Sequence, residues 1–154
     1  MKVGLADVYA ASGLLRVVIE SCLIQRVMLT YPSDFPAGCP LPSSSDCGGD
    51  VYLLVQSLQL DPLQFQTQAE RGRALNAVGD EACKRLGLSV FPTYESCSHQ
   101  RRLFPRLGSY IATATLSAVD GKISNTPSHK NPTHQTWWPY PEVVRHALFS
   151  VMEF

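Results

Sequence analysis

Two short apolar runs, residues 51–58 (VYLLVQSL) and 88–94 (LSVFPTY), set the terms for this chain, because a helical pattern lies between them. The first run has a β-branched and aromatic start that suits a strand covered on both faces, and Pro62 closes it. Across residues 69–86, Leu75, Val78, Ala82 and Leu86 fall on one stripe, and Gly87 follows where a left-handed helix cap belongs. Strand, helix and strand over this distance predict a βαβ unit, parallel and right-handed. The expected fold class is therefore α/β, a small parallel sheet with helices on both faces.

The rest of the chain is read around that unit. Val8, Ala11, Leu15, Val18, Ile19, Cys22 and Leu23 predict an amphipathic first helix, and residues 27–31 a short strand. Residues 32–49, rich in Pro, Ser, Gly and Cys, form a long irregular loop, and residues 97–107 and 121–139 are read as irregular too. For residues 110–119, β-branched alternation and three alanines leave strand and helix both open. Pro141 opens a final helix whose apolar face is Val143, Val144, Ala147, Leu148 and Val151. A length of 154 residues suits a single domain, 1–154.

Composition narrows the function classes. Thirteen basic residues balance thirteen acidic ones, so no global field draws the chain to nucleic acid or to an anionic membrane. Arg101, Arg102 and Arg106 form one small basic cluster, read as a solvated loop. Residues 14–29 are the most apolar stretch, but Arg16, Glu20 and Arg26 interrupt it, so no membrane span is expected. No signal peptide is discerned, which makes a cytoplasmic location the default. The five cysteines show no C-x-x-C spacing, so neither a metal nor a cofactor is expected. Cys22 and Cys83 read as buried thiols on helix faces, while Cys39 and Cys47 bracket a loop and are candidates to pair.

The residues that point to chemistry are Asp120-Gly121, then His134, then the closing helical pattern. An imidazole base needs a carboxylate to hold its tautomer and stabilise its protonated form, and a turn before a final helix delivers both. Asn76-Ala77, Leu86-Gly87, the run 88–94 and the ending Pro141-Glu142-Val143-Val144-Arg145-His146 accompany them. In this order the pieces resemble the C-terminal half of an SGNH (GDSL-type) hydrolase, and the ending resembles its PC-esterase-like branch. The resemblance covers residue 51 to the end, together with the first helix. It implies an incomplete three-layer fold and hydrolysis of acyl esters, with a small molecule or glycan as partner. It also implies His134 as general base and Asp120 as its orienting acid.

Two departures qualify what the resemblance implies. The family spaces its acid and base as D-x-x-H, whereas thirteen residues separate Asp120 from His134. Removing residues 122–132 restores the spacing, so those eleven residues read as an insertion. The family's nucleophile sits in a Gly-Asp-Ser block that is absent here, and neither Ser12 nor Ser57 has the expected neighbours. The expected function is thus a remnant of a serine ester hydrolase without its nucleophile. The alternative is a non-catalytic α/β binding module, or a truncated or mispredicted product. Half a parallel sheet would leave an unpaired edge and favour self-association.

Plainer roles compete at each position. Asp-Gly is a favoured turn pair, and a loop histidine such as His134 or His129 is commonly just solvated. Trp137 and Trp138 read as packing anchors rather than pocket walls. Arg145 and His146 read as surface residues, and His99 as part of a polar loop.

Overall fold

The computed structural model describes residues 29–73 and 76–153. The expected first helix lies outside the described residues, as do residues 27 and 28 of the expected 27–31 strand, while residues 29–31 form no strand. The elements below all belong to one compact unit, residues 31–154. They run β1 (Ser45–Asp46), β2 (Gly49–Val55), α1 (Gly79–Arg85), β3 (Leu88–Val90) and α2 (Tyr94–Leu103). Then come β4 (Tyr110–Leu116), β5 (Gly121–Asn125), β6 (Gln135–Pro139) and β7 (Ser150–Val151), with four short 3-10 turns between them.

The strands form two antiparallel sheets, β1-β5-β6-β3 and β2-β4-β7. The fold is mixed α/β, but the expected parallel sheet is corrected: among the described residues no neighbouring pair of strands is parallel and no three-layer arrangement is seen. The cause lies between the two apolar runs. Among the described residues of the expected 69–86 helix, only Gly79–Arg85 is helical, and Pro62–Phe65 makes one 3-10 turn. Seven helical residues span about 10 Å at the usual helical rise. The seven residues of β2 span about 23 Å at the strand rise. So short a helix does not carry the chain back along the strand, as a parallel crossover requires. Instead β2 pairs with β4 along its whole length, from Gly49↔Leu116 to Val55↔Tyr110.

Alternation along β2 and β4 builds the core. Val51, Leu53 and Val55 are buried, and Ala114 and Ala112 lie directly opposite the first two. Two of the three alanines that left residues 110–119 open to a helical reading, Ala112 and Ala114, are the small residues of β4, and Ala118 falls in the 3-10 turn after it. Trp137, Phe65 and Phe149 complete the main cluster. The final helix is also corrected. Residues 145–148 form a 3-10 turn and Ser150–Val151 adds a strand to β4. Val143 and Leu148 still pack on the core, whereas Val144 is exposed.

Residues 121–139, expected to be irregular, contain the β5–β6 pair at the centre of the four-stranded sheet. Residues 122–132, read as an insertion, supply most of β5 and the buried Asn131. Residues 97–107 are likewise more ordered than expected, since α2 runs from Tyr94 to Leu103. Thr93 Oγ1 caps it by accepting from Ser96 N–H, and Arg101 and Arg102 lie in its last turn, where cations suit the helix dipole. Residues 32–49 are mostly turns, as expected, apart from β1.

Cys83 is joined to Cys39 in a disulfide across 44 residues, correcting both its reading as a free thiol and the candidate pairing of Cys39 with Cys47. Cys47 and Cys97 are buried free thiols, each pushed up to about 12 mainly by burial, which leaves them unreactive. The disulfide packs with Leu41, Phe35 and Leu86 around Trp138, whose Nε1–H donates to the Cys83 carbonyl at 2.8 Å. Gly87 is not a left-handed cap: its φ is not positive, and a Cβ there would meet the Trp137 carbonyl oxygen at 2.8 Å. The close approach of backbone to β6 is what requires glycine. No helix among the described residues is long and apolar enough to cross a membrane.

Candidate functional site

The inner faces of the two sheets pack together in the main core, and their edges are bridged where Tyr52 of β2 and Phe91 after β3 exchange both main-chain hydrogen bonds at 2.9 Å. Leu54 and Ser89 stand next in register, yet no main-chain hydrogen bond joins them. Strand alternation directs the N–H and C=O of Ser89 the same way as those of Phe91, away from β6 and into the gap. The result is an open cleft of about 370 Å³. Leu53, Leu54, Leu88 and Phe91 contribute its apolar wall, and Thr67, Arg71, Lys84, Ser89 and Gln100 its polar one.

Ser89 is exposed between two buried neighbours, Leu88 and Val90, so its side chain stands on the outer face of the four-stranded sheet. Thr136 lies opposite it on β6, and Ser124 opposite Thr136 on β5, giving a row of hydroxyls across three strands. His134, two residues before Thr136, joins the same face. Its Nε2 lies 2.9 Å from Ser89 Oγ. Its Nδ1 lies 2.9 Å from the Thr126 carbonyl oxygen and 2.9 Å from Thr126 Oγ1.

A carbonyl oxygen only accepts, so the neutral ring carries its proton on Nδ1 and donates it to Thr126. Nε2 is then an acceptor aimed at the Ser89 hydroxyl. Burial holds this imidazole below its ordinary value of 6.5; the Thr126 hydrogen bond opposes that shift, and the Lys84 ammonium adds to it. The ring is therefore neutral at pH 7, the form a general base needs. Phe91 meets it edge-on with ring centroids 5.5 Å apart.

The loop that presents His134 is pinned to α2. Asn131, buried, donates from Nδ2 to the Ser96 carbonyl and to Gln100 Oε1, and its own N–H donates to Ser128 Oγ. Lys84, which also lines the cleft, follows the disulfide-bonded Cys83 in α1. The stapled helix thus fixes where its charge lies.

Asp120 does other work. Its Oδ2 accepts from Ser117 N–H at 2.7 Å and from Ser117 Oγ at 3.2 Å, closing a capping box around a 3-10 turn. Asp120 precedes β5, whereas His134 pairs with Thr126 beyond its far end. Five strand residues intervene, a separation of about 20 Å at the usual rise. The structure does not bring the expected acid and base together.

The other candidates are also placed. His99 Nε2 contacts the Lys130 carbonyl oxygen, and His129 lies on the exposed turn beside it. Trp137 and Trp138 are fully buried on opposite faces of β6, packing as expected. Arg145 is more than a surface residue: it makes a two-pronged ion pair with Glu70 and donates to the Phe65 carbonyl. Asn76-Ala77 lies in a turn outside α1.

Sequence reasoning missed Ser89 because it sought a serine within Gly-Asp-Ser. The available signal was a lone hydroxyl inside the apolar run 88–91, which marks the open face of a strand. No group of His, Cys, Asp and Glu among the described residues is arranged to hold a metal ion. Comparisons of the chain with protein-family models, with curated protein sequences and with solved structures find no match.

Proposed function

We propose that the protein is a serine-dependent hydrolase of carboxylic esters, with Ser89 as nucleophile and His134 as general base at the mouth of the inter-sheet cleft. The observation that carries this reading is the 2.9 Å approach of His134 Nε2 to Ser89 Oγ, on a ring whose other nitrogen is committed to the Thr126 carbonyl. A main-chain carbonyl in that position fixes the tautomer, the orienting role that a triad carboxylate otherwise fills.

The chemistry follows from these placements. Ser89 Oγ bonds to the ester carbonyl carbon as its proton passes to His134 Nε2. The carbonyl π pair moves onto oxygen, where the Lys84 ammonium and the cleft-facing Ser89 N–H oppose the developing charge. Collapse breaks the bond to the alkoxy group, which leaves with the proton from His134. Water then repeats the cycle on the acyl-serine and releases the acid.

Ester hydrolysis is thus kept from the sequence reading, with its machinery relocated. Ser89 takes the place of the missing Gly-Asp-Ser serine, and Thr126 that of Asp120. Descent from SGNH hydrolases is not required by this proposal, and antiparallel sheets lend it no support. The Cys39–Cys83 disulfide favours an oxidising compartment over the default cytoplasmic one. One observation favours the alternative of a non-catalytic binding module: the cleft is open and lined by four glutamines, Gln64, Gln66, Gln68 and Gln100.

Hydrolysis of p-nitrophenyl butyrate decides between them. Ser89→Ala and His134→Ala should each lower kcat/KM by about 10²–10⁴-fold. A fluorophosphonate probe should label Ser89, read by peptide mass spectrometry. Wild-type turnover no greater than that of Ser89→Ala, with no label on Ser89, would leave the binding module.

A further inference from the structure

We infer that the ester this cleft accepts is an anion, carrying a carboxylate or phosphate group beside the reacting carbonyl, and that Arg71 and Lys84 recognise it. The inference rests on the hydrolase reading above for its reaction but not for its binding site. Among the described residues, the charged ones lining the cleft are Arg71, Arg73 and Lys84, and none lining it is acidic. In a chain with zero net charge this is a local asymmetry, not a share of a general excess.

Two neighbouring carboxylates are engaged elsewhere. Glu70, adjacent in sequence to Arg71, is held by both guanidinium nitrogens of Arg145. Glu81, one turn before Arg85, pairs with that residue at 3.4 Å. Among the described residues, Arg71, Arg73 and Lys84 have no ion-pair partner.

The cations are also positioned. Arg71 Nη2 donates to the Leu63 carbonyl at 3.2 Å, which fixes the guanidinium while leaving further donors for a planar anion. Lys84 projects from the disulfide-stapled helix and lies near enough to His134 for its charge to be felt there. Like charges around a cavity with apolar walls raise the local concentration of an anion and repel one another until it binds. Two of the four lining glutamines are committed to other partners. Gln64 spends its side chain on the N–H groups of Gln56 and Ser57 and on the Gln59 carbonyl, and Gln100 accepts from Asn131. They shape the walls. Leu54, Leu88 and Leu107 are left to receive the hydrocarbon part of the ester.

The test compares two esters of equal acyl length, mono-p-nitrophenyl succinate and p-nitrophenyl butyrate. At low salt kcat/KM should favour the succinate by about tenfold. The preference should shrink towards parity in about 0.5 M sodium chloride, where screening shortens the reach of the cations. Arg71→Gln should remove most of the preference and Arg71→Lys should retain part of it. Arg102→Gln, on α2 outside the cleft, should leave it intact, with circular dichroism confirming that each variant folds.

Calorimetric titration with succinate and with inorganic phosphate reads binding alone and tells the two anion types apart. Ser89-dependent hydrolysis without a preference for the anionic ester overturns this inference and leaves the hydrolase reading standing. Salt-sensitive binding of either anion that Arg71→Gln weakens, without Ser89-dependent hydrolysis, does the reverse. Absence of both binding and preference removes the anion site altogether.

Discussion

The two faces of the β1-β5-β6-β3 sheet differ by a single step along each strand. On the inner face Ile123, Trp137 and Leu88 lie in one register row and pack into the main core. On the outer face the adjoining row is Ser124, Thr136 and Ser89, extended by Thr126 and His134. The outer face is itself divided. At one end Trp138 is sealed beneath the disulfide, and at the other the hydroxyl and imidazole groups meet the cleft. One face commits its side chains to stability, and the open end of the other commits them to hydrogen bonds that leave Ser89 available. The period of two in a strand keeps these tasks apart on neighbouring residues.

Breaking the inner face should have the largest effect. Trp137→Ala removes a fully buried indole and its hydrogen bond to the Asp120 carbonyl, and should lower stability by about 3–5 kcal/mol in urea unfolding. Cys39→Ser, or reduction by dithiothreitol, opens the sealed end of the outer face. The 44-residue separation predicts a loss of about 2–4 kcal/mol. It should also lower esterase kcat/KM, because α1 and Lys84 lose their staple.

Asp120→Ala sharpens the contrast between the expected acid and the observed cap. Loss of the capping box should lower the unfolding free energy by about 1 kcal/mol. Esterase kcat/KM should stay within about twofold of wild type, since Asp120 lies at the far end of β5. A hundredfold loss would instead return Asp120 to the catalytic machinery.

The smallest effect concerns pH. His134 is held below 6.5 in the folded protein, so between that folded value and 6.5 the unfolded chain binds the extra proton. This group therefore destabilises the fold as pH falls through 6.5, and the loss is complete below the folded value. His134→Asn should flatten that part of the stability curve relative to wild type in denaturation series at successive pH values. The acid limb of kcat/KM for wild type should also lie below 6.5, because the base stays neutral there.

Some of this was open to reading in the linear chain. The run 51–58 is a strand in large part, 88–90 is one, and the helix appears where Ala82 and Leu86 carry its stripe toward Gly87. Trp137 and Trp138 are core residues for the reason expected: each indole buries more area than a loop role would use. Other local signals were present but outweighed. Thr93 with Glu95 and the basic pair Arg101-Arg102 mark both ends of α2, yet the polar middle, Ser96 to Gln100, hides its periodicity. Val143, Val144 and Val151 read as one helix face, although β-branched residues also suit the strand that two residues of this segment form.

The candidate site was the least legible part. Ser89 and His134 are 45 positions apart, and neither has a neighbour that names its role. Asp120 drew attention through a favoured turn pair, and its carboxylate is used in that turn.

What the sequence determined is local: alternation that hides every second residue of β2 and β4, glycine where Gly87 meets β6, and a neutral charge balance. Only the tertiary structure decided which strands pair, which cysteine meets Cys39, and that a strand serine faces a histidine over a cation-lined gap. Propensity and periodicity act over a few residues and are written in composition. Pairing depends instead on how much apolar surface each competing register buries, a sum over the whole chain that no segment carries by itself.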